Sequence, residues 1–147
     1  MSDLLDALEH VAKMHTRLRG TCPESSTPEG HFVNENTVVR LAAMMDWHKF
    51  KPKGKKLCVD ATPAEKTVRV LFLFRHLVVH NGGRFDLSGP KLTDAERDSY
   101  HWFAAKHSAA KVSEGCMLCL SEPEVLVPLI EGCVEYWSER ECANSSG

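Results

Sequence analysis

The run Arg75-His76-Leu77-Val78-Val79-His80-Asn81-Gly82-Gly83 places a guanidinium and two imidazoles at the close of an otherwise apolar segment. Charged groups are costly to bury unless they are paired or hydrogen-bonded, so their presence in such a segment points to a use. Histidine is the side chain most easily set to move protons near neutral pH, and arginine is a permanently charged planar donor suited to phosphate. Arg75 and His80 together could transfer a proton beside a stabilised anion, with His76 and Asn81 as auxiliary groups. Their spacing sets a condition, because five residues along a regular helix leave two side chains about 140° apart. They do not converge from one ideal helix. Either the helix loosens at Asn81-Gly82, or two chains each lend residues to one site.

The elements that must hold these groups read as helices. Thr62-Pro63-Ala64-Glu65 is a start signal: threonine caps, proline suits the first helical position, and a glutamate three residues after the cap completes a capping box. The predicted helix runs from Pro63 to about His80, where Asn81-Gly82-Gly83 stops it. Val68, Val70, Phe72 and Phe74 also alternate as a strand would, but the cap and the length decide for helix. Its second half is apolar nearly all round, which implies a central position. Other helices are expected over Asp3 to Arg19, about Asn36 to Lys49, Thr93-Asp94 to about His107, and about Glu122 to Glu139, where Pro128 is expected to bend the chain. Val112 to Leu120 reads as extended, and Ala143 to Gly147 as a frayed tail. The fold class is therefore all-α, an antiparallel bundle of four to five helices forming one domain over residues 1–147.

The chain of 147 residues is 43% hydrophobic and 26% charged, enough for one core and no second domain. No apolar run exceeds five residues, the length of Val70 to Phe74, far short of the roughly 20 residues of a membrane span, and the amino end carries charges where a signal peptide is oily. A cytoplasmic protein without membrane attachment is expected. Its six cysteines then read as reduced thiols, with Cys58 and Cys133 as small core residues. A net charge of -2 argues against coating nucleic acid by bulk charge. Locally the balance differs: five of the ten lysines, Lys49, Lys51, Lys53, Lys55 and Lys56, crowd one segment interrupted by Pro52 and Gly54. That segment is either a solvated loop or an arm that contacts phosphates through Lys51, Lys53, Lys55 and Lys56.

An arginine followed five positions later by a histidine is weak evidence alone, since eight of each in this chain give about 0.4 such pairs by chance. The context is what distinguishes it. Arg75-His76-Leu77-Val78-Val79-His80, late in a long helix and followed by a glycine turn with Arg84-Phe85-Asp86, resembles the hallmark of the HEPN superfamily. That hallmark is an arginine, a polar residue that is usually asparagine, aspartate or histidine, three variable residues and a histidine. The resemblance implies a small helical homodimer whose two motif-bearing helices face one cleft. It further implies a metal-independent endoribonuclease, in settings such as toxin action, defence or RNA processing, with an antitoxin or other protein partner. Other members of the superfamily are silent binding or scaffold modules. The alternative is therefore a non-catalytic HEPN-like dimer that binds RNA, a nucleotide or a protein. In the catalytic reading Arg75 stabilises the transition state, His80 is general base or acid, and His76 and Asn81 position the scissile phosphate, with no cofactor and no metal.

Blander readings stand beside these. Arg75 and His80 could be helix-end groups, with His80 satisfying free carbonyls. His76 and His80, four apart on one face, could share a zinc ion with Cys116 and Cys119, although no second cysteine pair accompanies them. A redox role for Cys116 and Cys119 lacks the surrounding alternation of strand and helix. Trp47, Trp102, Trp137, Phe103 and Tyr136 read as core or dimer contacts and not as base-stacking platforms.

Overall fold

A computed structural model describes residues 28–47, 49–89, 91–118 and 123–145. The helix expected over Asp3 to Arg19 lies outside them. Among the described residues the chain is helical: α1 is Pro28–Trp47, α2 Pro63–Asn81, α3 Asp94–Lys106 and α4 Pro123–Ser145, with a 3₁₀ turn at Ser108–Ala110. No strand forms among them; the expected extended stretch contributes a single antiparallel bridge, Arg84 with Met117.

Local chemistry accounts for most of the boundaries. At the start of α2 the Thr62 hydroxyl accepts from the Glu65 amide at 3.2 Å, and Pro63 occupies the first turn, where its missing N–H costs nothing. The other half of the expected capping box does not form there, because the Glu65 carboxylate turns instead to Arg69. At the start of α3 the Glu96 carboxylate accepts from the Thr93 amide at 3.2 Å, the half of the box that α2 lacks. Helix α1 begins eight residues before the expected Asn36, with Pro28 at its first position. It stops two residues before the expected Lys49, which adopts a left-handed φ of 64°. There the Phe50 amide donates to the Met45 carbonyl at 2.8 Å, and the Phe50 ring buries against Trp137 with centroids 4.6 Å apart. Helix α4 continues through Pro128 and on to Ser145, so residues 143–145 are helical and not frayed.

Helix α2 packs against α1, α3 and α4, which is the central position its all-round apolar half requires. Val68, Val70, Leu71, Leu73, Phe74 and Leu77 are buried, each stabilising by about 1.5–3 kcal/mol on removal from water. Trp137, Phe103 and Tyr136 are core residues, as expected. Trp47 is not: it is 83% exposed. Nor is Cys58 a core residue, whereas Cys133 is buried and burial pushes its thiol pKa up.

The approach of α4 to α2 depends on Gly132, where an added Cβ would run into Thr67 Cγ2 and lie 2.7 Å from Thr67 Cβ. Thr67 cannot readily rotate away, since its hydroxyl donates to the Pro63 carbonyl at 2.8 Å. Gly132→Ala is expected to destabilise the chain by about 2 kcal/mol in a urea titration, overriding the roughly 1 kcal/mol that alanine normally gains over glycine within a helix. A more stable variant would contradict this packing.

Candidate functional site

The motif sits where α2 leaves the core. Phe74 and Leu77 are buried, His76 is half-buried, and Arg75, His80 and Asn81 are exposed. Gly82 ends the helix at φ 63°, the Gly83 amide donates to the Leu77 carbonyl at 2.9 Å, and Asn81 Nδ2 donates to the Arg84 carbonyl at 2.8 Å. Glycine and asparagine thus close the helix end, and among the described residues His80 makes no hydrogen bond to it. The turn is braced from outside. Phe85 donates to the Cys116 carbonyl at 2.8 Å, Gly115 to the Phe85 carbonyl at 2.8 Å, and Leu118 to the Gly83 carbonyl at 2.9 Å.

His76 and His80 come together on one face, with ring centroids 5.0 Å apart. Partial burial lowers the His76 pKa below 6.5; His80, Lys91 and Arg75 lower it further, and Glu96 opposes them. At neutral pH His76 is therefore an uncharged imidazole able to accept a proton. NMR titration of its ring protons should give a midpoint below the ordinary histidine value. In His80→Ala that midpoint should rise, because one cationic neighbour is gone, yet stay depressed by burial. No rise would mean that the two rings do not sense each other's charge.

Arg75 points to different company. It lines a groove with Trp47, Lys49, Lys51 and Phe72, alongside Asp46, and neither histidine lines it. The divergence expected from helical geometry is thus present within one chain. Arg69, Arg84 and Arg97 all donate to backbone carbonyls: Arg69 to Lys53 and Gly54, Arg84 to Gly115, and Arg97 to Leu87 and Gly89. Arg75, among the described residues, has no hydrogen bond or salt bridge.

The lysine segment is held in place by its own backbone. Arg69, only 4% exposed, reaches from α2 to the Lys53 carbonyl at 2.6 Å and the Gly54 carbonyl at 3.2 Å, while also pairing with Glu65 at 3.3 Å. The Ala95 amide donates to the Lys55 carbonyl at 3.0 Å. Of the lysines singled out from sequence, Lys51 joins Arg75 in one recess and Lys53 lines the adjoining one; Lys55 and Lys56 are exposed and line neither. Sequence reasoning missed Arg69, whose only local signal is Glu65 one helical turn earlier. Of the two alternatives for Trp47, core or dimer contact, its exposure excludes the core, and the left-handed Lys49 was missed.

No group of three or more His, Cys, Asp and Glu side chains arranged to hold a metal ion occurs among the described residues, and Cys119 lies outside them. No described helix is long and apolar enough to cross a membrane. Comparison of the chain with protein-family models, curated proteins and solved structures returns no match in any of the three.

Proposed function

We propose that the chain is a metal-independent endoribonuclease of the HEPN type, acting in the cytoplasm as a homodimer in which two motif-bearing helix ends share one cleft. One observation carries the reading: at the end of an otherwise buried helix, a guanidinium with no hydrogen bond or salt bridge among the described residues and two adjacent imidazoles all reach the surface. Buried structural arginines do the opposite, as Arg69 does. Because Arg75 and the histidine pair diverge within one chain, the site is completed across the dimer, where Arg75 of one copy faces the imidazoles of the other.

In the proposed reaction an imidazole takes the proton of a ribose 2'-hydroxyl as its oxygen bonds to phosphorus. The bond from phosphorus to the 5'-oxygen breaks, a second imidazole protonates that oxygen, and Arg75 neutralises charge gathering on the non-bridging oxygens. His76, uncharged at neutral pH, suits the accepting role, and the neighbouring ring of His80 is the second imidazole at hand. Cleavage of single-stranded RNA should persist in chelator, leave a cyclic phosphate, and stop when the 2'-hydroxyl at the scissile position is replaced by hydrogen. Binding without cleavage would assign the chain to the non-catalytic alternative. An antitoxin or other protein partner belongs to this proposal as the means of restraining such an activity.

A further inference from the structure

The proposed reaction leaves unused the groove on the other side of Arg75. It has a volume of about 400 Å³ and adjoins a recess of about 490 Å³, the two sharing Asp46, Lys49 and Lys51. Lys49, Lys51 and Arg75 set three cations against the single carboxylate of Asp46. Trp47, the last residue of α1, stands 83% exposed at the rim. A lone exposed tryptophan needs no explanation, but an indole beside three cations offers both a stacking face and phosphate donors.

Two further observations indicate that the groove is built. Lys49 holds a φ of 64°, a conformation that glycine adopts freely and a lysine only at a cost, so the side chain stands where the backbone disfavours having one. The Lys51 ammonium lies 5.3 Å from the centroid of the Phe72 ring, which keeps it in the groove. The inward-turned carbonyls of Lys53, Gly54 and Lys55 fix the segment without engaging its ammonium groups.

We infer that this groove binds single-stranded RNA, with an unpaired base stacked on Trp47 and successive phosphates on Lys49, Lys51 and Arg75. A duplex hides its base faces within the stack, so the indole selects for unpaired strands. The choice of RNA rests on the proposed nuclease reading, whereas the stacking and phosphate contacts do not.

The test uses the full chain and a short fluorescent 2'-O-methyl oligonucleotide, which binds but offers no 2'-hydroxyl to cleave. Trp47→Ala is expected to weaken binding about tenfold. Lys49→Gly is expected to raise the melting temperature by about 2–4 °C through relief of the left-handed lysine, yet weaken binding and make the salt dependence shallower by about 0.7 in logarithmic slope. A variant more stable than wild type and poorer at binding cannot be explained by unfolding. The inference is overturned if both variants bind as wild type does, or if duplex competes as well as single strand. It is equally overturned if Trp47→Ala alters sedimentation but not binding, which makes the groove a contact between copies, or if an acidic peptide displaces the strand while free RNA does not. Loss of cleavage in His80→Ala with unchanged binding in Trp47→Ala sinks the groove alone; binding that follows the expected pattern without any cleavage sinks the nuclease alone.

Discussion

His80→Ala should reduce RNA cleavage by about 10²- to 10⁴-fold and Arg75→Ala by about 10²- to 10³-fold, the usual losses for a proton-transfer group and for a donor aimed at developing charge. Neither change should unfold the chain, since both side chains are exposed and Arg75 has no bond among the described residues to lose; stability should stay within about 0.5 kcal/mol. Arg75→Lys keeps the charge but not the planar fork, and should recover only part of the activity. The sharper measurement mixes the two inactive variants. Where each site takes Arg75 from one copy and His80 from the other, a mixed dimer has one site lacking both groups and one intact. With half the dimers mixed, about a quarter of wild-type activity returns. Were both groups taken from the same copy, no mixed dimer would contain a working site. A mixture no more active than its components, with subunit exchange shown independently, removes the shared cleft from the proposal.

The parts of this site that the sequence made legible are the ones set by local rules. Thr62 and Pro63 announce the start of α2, Gly82 its end, and the four-residue step from His76 to His80 places both rings on one face. The separation of Arg75 from that face follows from the pitch of a helix. The illegible parts depend on contacts between segments distant in the chain. Arg69 falls within an apolar run, and its carbonyl partners lie 15 and 16 residues away, so no window around it indicates burial. Trp47 has the residue type and spacing of a core position, but α1 stops just there and leaves it at the surface. Likewise the start of α1 at Pro28 was hidden in a stretch rich in loop formers, where proline reads equally as a breaker or as a first helical residue.

Arg69→Met should lower stability by about 3 kcal/mol, a fall of about 10 °C in melting temperature, although it keeps an apolar stem of similar reach. The buried guanidinium satisfies the carbonyls of Lys53 and Gly54 and the Glu65 carboxylate at once. Methionine leaves all three without a donor, and an acceptor left unpaired at a buried site costs more than the net worth of the bond it lost. Arg69→Lys should recover only a fraction, because one ammonium cannot span two carbonyls and a carboxylate in the geometry of the planar fork. The loss should also be local. Proteolytic cleavage within residues 51–56 should quicken at temperatures where the α2 core stays folded, because the donor that Arg69 gives the Lys53 and Gly54 carbonyls is gone and only the tether from Ala95 to Lys55 remains. If the lysine segment gains its order from this fork, strand binding in Arg69→Met should weaken even at temperatures where the helices remain folded, since Lys49 and Lys51 then pay an ordering cost that Arg69 had already met. Unchanged cleavage of the segment together with wild-type binding would show that its carbonyls are held by something other than Arg69.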